Sequence, residues 1–425
     1  MMKKSRVAAL AALAVTLVLA GCGSSSSSSK SSTGASSGPS SNAPSGDPIK
    51  VGMICACTGF AASSQGALPA LATVWSKFIN DGGGINGHPV KVIVVDNGGD
   101  ASKSALLVRQ LVEQDGVVAI VDEDPVNDAG WADYVSKKGI PVTGGLGYTL
   151  PMTTDANFFP SNGNLAAATY GLGQGLKEAG VTKVAVLPCA EAPVCAGIGD
   201  QLQRISDAVG FGVKVVYTSK IPATAASYAP QCLAAKSAGA TGLWVGHVAQ
   251  TVQNVVDQCV QQGFRPKIIV EPGSVVGNTW AKDSNLEGVF IAQYHLPVTD
   301  GSTEGSKEFL AAVQKYNAGL TSADGWSEEA TELWSGLQLF AAAAKAANVS
   351  PTSTGADVKK GIYAVSGTTL GGLTGPLKFT PNKPTQVNCY YKETIKSGAF
   401  ATLGSNQPIC LDDATADKVN KAFTG

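Results

Sequence analysis

From Ile49 onward the chain alternates short, unbroken apolar runs with longer stretches whose apolar residues recur at helical spacing. IKVGMICA (49–56) predicts a strand, and Leu68, Leu71, Ala72, Trp75, Phe78 and Ile79 then mark one face of a helix. VKVIVVD (90–96) predicts the next strand, SKSALLVRQLVEQD (102–115) a helix, GVVAIVD (116–122) a strand, DAGWADYVSKKG (128–139) a helix and IPVTGG (140–145) a strand. The second half repeats the pattern in TKVAVL (182–187), GVKVVY (212–217), ATGLWVG (240–246), PKIIVE (266–271) and GVFIAQ (288–293). GPLKFT (375–380) and VNCYYKETI (387–395) predict a closing hairpin. Strands that are apolar on both faces, with helices between them, make an α/β fold of parallel sheets covered by helices and joined by right-handed crossovers.

The N-terminal pattern is different. Lys3, Lys4 and Arg6 precede an apolar stretch from Val7 to Ala20, too short for a stable membrane span but suited to a secretory signal. It ends in Leu19-Ala20-Gly21-Cys22, which resembles the lipobox of bacterial lipoproteins. That resemblance implies cleavage after residue 21 and a lipid on the Cys22 sulfur. Residues 22–48 are Ser-rich, without a large apolar side chain to join a core, and predict a flexible tether. The folded body of about 377 residues is the size of two lobes rather than one core.

Charge and cysteine narrow the function classes. Without the three basic leader residues, 28 basic face 32 acidic residues, a net charge of about −4, and no basic run exceeds two residues, which argues against a nucleic-acid surface. No later apolar stretch is long enough to cross a membrane, so the lipid would be the sole attachment. Eight cysteines besides Cys22 form an even set, read as disulfides in an exported chain although eight allow 105 connectivities. Sequence neighbours suggest Cys189 with Cys195, Cys232 with Cys259 and Cys389 with Cys410, leaving Cys55 and Cys57 to each other or to an exchange of partners. No second CxxC and no His pair completes a metal site. Catalysis is disfavoured too: the only histidines are His88, His247 and His295, and neither HExxH nor GxSxG occurs.

Two glycine-rich stretches invite a phosphate-binding reading. Gly82–Gly84 and Gly87 follow a helix and precede a strand, at the edge opposite the ligand side of a parallel sheet, and read as a helix cap and turn. GLGQGLKEAG (171–180) lacks a preceding strand and falls within a helix. No GxxxxGKT occurs.

INDGGGINGHPVKVIVVDNGGDASKSALLVRQLV (79–112) resembles the type I periplasmic binding proteins of the branched-chain amino acid transporter family. The likeness continues through VVAIVD, KKGIPVTGG, TKVAVL, GLWVGH, QQGFRPKIIVEPG, GVFIAQYHLP and TGPLKF. It implies two Rossmann-like lobes joined by three crossings, placed near Pro160, Tyr294 and Leu370. Lobe one would hold 49–160 with 296–370, and lobe two 161–295 with 371–425. The implied function is capture of a small molecule for an ABC transporter permease, by a monomer anchored outside the cytoplasm and without a cofactor. A ligand-sensing lipoprotein of the same fold is the alternative.

Ligand contacts are expected from loops that follow strands. On lobe one these supply Thr58, Phe60 and Gln65, then Asn127, then Tyr148. On lobe two they supply His247, Glu271 and Tyr294. Four have a plainer reading: Phe60 as core packing, Asn127 (or its neighbour Asp128) as a helix cap, His247 as a structural histidine, Glu271 as an acid paired within its own lobe. The resemblance implies hydroxyls holding a ligand carboxylate in the third and fourth loops of lobe one, where this chain has Pro125-Val126-Asn127 and Gly145-Leu146-Gly147. An amino acid is the leading ligand, with an aromatic acid or an amide next.

Overall fold

The computed structural model describes residues 43–145, 147, 149–191, 193–271 and 277–425. The leader, Cys22, most of the tether and Tyr148 therefore lie outside the described residues. Two sheets organise the chain. β1 (Ile49–Cys55), β2 (Val90–Asp96), β3 (Ile120–Glu123), β4 (Val142–Thr143) and β5 (Phe158–Phe159) form a parallel sheet in the order β2-β1-β3-β4-β5. β6 (Lys183–Pro188), β7 (Lys214–Thr218), β8 (Gly242–Gly246), β9 (Lys267–Val270) and β10 (Phe290–Gln293) are the parallel part of the second sheet. β11 (Cys389–Lys396) and β12 (Ala399–Thr402) extend that sheet in antiparallel fashion, and β13 (Ile409–Cys410) pairs with β11.

Each sheet is covered on both faces by helices, as expected around parallel strands. One face of the first sheet packs Met53, Val51 and Val121 against Leu71, Trp75, Phe309, Leu333 and Leu337 from the helices Leu68–Asp81, Glu304–Asn317 and Glu329–Ala346. The other packs Ile54 and Ile120 against Val108, Trp131 and Val135. In the second sheet Leu243 and Val245 face the helices Ala229–Ser237 and Ala249–Gln261, while Val184, Val186 and Trp244 face Leu165–Glu178 and Ile198–Val209.

The chain passes between the layers three times, and the passages lie side by side. Gly163 N–H donates to Tyr294 O, Asn164 N–H to Val387 O and Leu296 N–H to Leu373 O, each at 2.8 Å. Gly163 permits this approach, since a Cβ there would sit 2.1 Å from Cys389 O. Leu373, Leu377 and Phe379 belong to the first core.

Gly83, Gly84 and Gly87 adopt φ of 95°, 72° and 84°, turning the chain from the helix Leu68–Asp81 toward β2. Gly171, Gly173 and Gly175 lie within the helix Leu165–Glu178, where added Cβ atoms would fall 2.5–2.6 Å from the rings of Tyr390, Phe211 and Phe290. Both stretches are structural. The expected hairpin is displaced: residues 376–380 carry no strand and are drawn into the first core through Leu377 and Phe379, and the hairpin forms between β11 and β12. The expected helix over 102–115 changes pitch, from an α-helix at Ala101–Gln110 to a π-turn at Leu111–Asp115.

Four disulfides are present: Cys55–Cys57, Cys189–Cys195, Cys232–Cys259 and Cys389–Cys410. Cys232–Cys259 joins the two helices that cover one face of the second sheet, across a sequence separation of 27. Closing a loop of that length is worth roughly 3 kcal/mol through the unfolded chain. The paired change Cys232→Ala with Cys259→Ala is therefore expected to lower the free energy of urea unfolding by at least about 3 kcal/mol. An unchanged denaturation midpoint would contradict this.

Candidate functional site

The carboxyl ends of β1 and β3 in one sheet and of β6, β8, β9 and β10 in the other surround a cavity of about 100 Å³. From the first layer come Ala56, Phe60, Ala61 and Gln65 after β1, Pro125 and Val126 after β3, and Glu329 at the start of the helix Glu329–Ala346. From the second come Leu165, Cys189, Cys195, Ile198, Trp244, His247, Glu271 and Tyr294. A larger recess of about 610 Å³ adjoins it, sharing Pro125, Val126 and Leu165 as wall.

Two disulfides hold the rim. Cys55–Cys57 brackets Ala56, whose N–H donates to Gln65 Oε1 at 2.9 Å. Cys189–Cys195 pins the loop after β6. The Gln65 amide also lies close enough to the Glu329 carboxyl to oppose the rise in its pKa. The second oxygen of Glu329, Oε2, is buried without a hydrogen-bond partner. Across the cavity, the Trp244 indole N–H donates to Glu271. No Lys or Arg lines the cavity among the described residues.

Behind Glu329 lies a group of buried acids. Glu123, at the end of β3, is fully buried with neither carboxyl oxygen hydrogen-bonded. Burial raises its pKa well above the usual range, and the nearby Glu332 and Glu329 raise it further. Glu332 is raised well above its usual value by burial. Glu329 is pushed up to about 8, chiefly by burial and then by Glu332. Glu332 Oε1 lies 3.3 Å from His295 Nε2. His295 is held down to about 4 by burial, and its Nδ1 lies 2.9 Å from the Leu296 carbonyl. A neutral ring facing a carbonyl at Nδ1 must carry its proton there. Nε2 then presents a lone pair toward Glu332, with no hydrogen bond formed between them. Beyond it, Glu328 accepts from Val298 N–H at 2.7 Å, and Glu393, raised to about 8 by burial, accepts from Gln293 at 2.7 Å.

Of the residues expected from sequence, Phe60, Gln65, His247, Glu271 and Tyr294 line this cavity. Thr58 instead donates its hydroxyl to Asp96 at 2.6 Å. Asn127 donates its side chain to Asp124 at 2.9 Å, and both its N–H and that of Asp128 turn back to Asp124 O. The end of β3 and that turn carry Asp122, Asp124 and Asp128, all buried, and Asp128 is raised to about 7 mainly by burial. Together they form an acidic corner rather than an anion cradle. His247 receives Val248 N–H at Nδ1, 2.8 Å, and sets Nε2 3.3 Å from Glu191, bracing the loop after β6. Trp244, Leu165, Val126 and Glu329 were not anticipated as lining residues. The sequence held one signal for Glu329: WSEEATELW places acids in a segment otherwise apolar on every helical face.

Among the described residues no group of three or more His, Cys, Asp and Glu could hold a metal ion, and no helix is long and apolar enough to cross a membrane. A family model described as periplasmic binding protein matches residues 48–399. Among solved structures, a branched chain amino acid ABC transporter protein from Thermus thermophilus with bound valine superposes at a TM-score of 0.76 and 14% identity, covering 89% of this chain and 99% of that one. A substrate-binding periplasmic protein from Ralstonia solanacearum gives 0.74 at 19% identity, covering 84% and 100%. A Rhodopseudomonas palustris ABC transporter solute binding protein in complex with benzoate gives 0.68 at 15%, covering 86% and 98%. No curated protein sequence matches the chain.

The acid group makes stability depend on pH. Glu329 and Glu393 titrate near 8 when folded and near 4.5 when exposed, so between those values the folded chain binds more protons than the unfolded one. Their contribution is fully present below pH 4.5 and is lost as pH rises through about 8, each group adding a slope of up to about 1.4 kcal/mol per pH unit. The melting temperature is expected to fall from pH 5 to pH 8. Glu329→Gln should make that fall shallower, and an unaltered slope would contradict the assignment.

Proposed function

Because the chain belongs to the periplasmic binding protein family, we propose that it is the solute-capturing component of an ABC importer, closing two hinged lobes over one small molecule and presenting it to a membrane permease. The protein is a binding protein rather than an enzyme, and its family places it outside the cytoplasm. The observation that carries the reading is the shared lining of the cavity. Phe60, Gln65, Val126 and Glu329 come from one layer, and Trp244, His247, Glu271 and Tyr294 from the other, so a bound molecule touches both. A solute that gains contacts only when the two sides approach stabilises the closed form by that difference in affinity.

In this reading the lobes are 49–160 with 296–388 and 161–295 with 389–425, the third passage lying later in the chain than residue 370. The packing of Leu377 and Phe379 into the first core draws the third passage toward Cys389. The three hydrogen-bonded passages supply the hinge. The relatives do not choose the solute, since one structural neighbour holds valine and another benzoate. The cavity favours a small molecule with an apolar body, suited to Val126, Leu165 and Ile198, and a hydrogen-bond-donating head, suited to Glu271 and Glu329. Amino acids, amides and amines are the simplest members of that class. The chain acts as a monomer tethered by a lipid on Cys22.

Two measurements test this. A panel of amino acids, amides, amines, carboxylic acids and sugars should contain a compound that raises the melting temperature, a ligand at 100 times its dissociation constant adding about 2.7 kcal/mol. The same compound should reduce the radius of gyration in solution scattering. If every compound leaves both quantities unchanged, the solute-capture reading fails. Separately, Cys22→Ala should move the protein from the membrane to the soluble fraction, the tether being too polar to hold it there. Retention of the variant after a salt wash would count against the lipid anchor.

A further inference from the structure

The described lining of the inner cavity holds carboxyl side chains and no Lys or Arg. Glu271 and Glu329 enter from opposite walls. Three rings, Phe60, Trp244 and Tyr294, complete the enclosure. Aromatic faces carry negative potential and attract cations. The turn after β3, where a ligand carboxylate would need donors, has none to offer at three of its positions. Pro125 lacks an N–H, and the Asn127 and Asp128 amides are committed to Asp124 O at 3.2 and 3.1 Å. Glu329 is 4% exposed, and its Oε2 has no hydrogen-bond partner. A carboxyl oxygen buried in this condition on a cavity wall is costly unless a hydrogen-bond partner arrives.

Resting on the reading of this cavity as the solute site, we propose that the solute is an organic cation: a small amine with a compact apolar body, taken in preference to the amino acid or carboxylic acid built on the same body. The ammonium donates to Glu329 Oε2 and to Glu271, and the body packs between Phe60, Val126 and Leu165. An added carboxylate would enter a dry space already holding two acids, with no Lys or Arg among the described lining residues to meet it.

The proposal carries a proton count. Facing Glu329 are Gln65 beside it, Glu332 and Glu123 behind it, and Glu271, His247 and Tyr294 across the cavity. Glu332 and Glu123 are buried more completely than Glu329 and keep their protons. Glu329 carries a proton at neutral pH in the empty cavity, because burial and Glu332 raise it to about 8. As the ammonium binds, that proton leaves to solvent, one positive charge exchanging for another. Amine affinity therefore rises with pH from 6 to 8.

Calorimetry on the purified full chain tests this with two matched sets: isopentylamine, L-leucine and 4-methylpentanoate; and phenethylamine, L-phenylalanine and 3-phenylpropanoate. At least one amine is expected to bind about tenfold or more tightly than its amino acid, a difference of about 1.4 kcal/mol, with no heat from either carboxylic acid. Titrations at pH 7 in two buffers of different ionisation enthalpy should show proton release with the amine. Glu329→Gln, close in shape to the protonated acid, should retain a cooperative melt, lose the proton release and weaken amine binding about tenfold or more. Tighter binding of an amino acid or carboxylic acid would overturn the proposal while leaving solute capture intact. No heat from either amine, or amine binding without proton release, would overturn it as well.

Discussion

Parallel pairing is the constraint from which the rest follows. Consecutive parallel strands require a return crossover, so each loop leaving the carboxyl end of a strand emerges at the same edge of its sheet. With two such sheets in one chain, those edges meet across a narrow space, and the lining is recruited from residues far apart in sequence: Phe60, Val126, Trp244, Glu271 and Glu329. The three passages beside Tyr294 and Val387 bind the layers on one side of that space. The helices contribute burial, and helix Glu329–Ala346 also delivers an acid to the edge.

That acid belongs to a group whose energetics oppose those of the core around it. Leu333, Trp334 and Leu337 stabilise the first layer by leaving water, yet the same helix takes Glu329 and Glu332 inside with them. Ionised carboxylates there would cost several kcal/mol apiece, so the interior favours their neutral forms. His295, held neutral for the same reason, lies beside Glu332 and brings no charge to oppose it. The layer thus tolerates its acids by keeping them uncharged.

Much of the fold was legible because β1, β2, β3 and β6 through β10 are apolar on both faces, a pattern that short strands share with few other elements. GPLKFT misled for a physical reason: Leu377 and Phe379 alternate as in a strand, but they serve an extended segment that fills the first core without a ladder. The candidate site was legible as a set of loops rather than as a set of contacts. Periodicity located the turns after β1, β3, β8 and β9, but Thr58 and Asn127 turn to Asp96 and Asp124, partners that no local pattern announces. Glu329 escaped notice because acids in a helix are ordinarily solvated. Trp244 escaped because a large ring within a strand reads as core, and it does belong to the core while its indole N–H reaches Glu271.

The two short disulfides at the rim give this architecture a chemical timing. Cys55–Cys57 and Cys189–Cys195 span sequence separations of only 2 and 6, so they restrict the unfolded chain less than Cys232–Cys259 does. Their main effect is local, on the shape of the mouth around Ala56 and the loop after β6. Such bonds persist in oxidising compartments and are rare where thiols are kept reduced. The finished contour of the mouth therefore belongs to the oxidised protein, and a chain still in the reducing interior of the cell would carry four thiols where the mature one has two clasps.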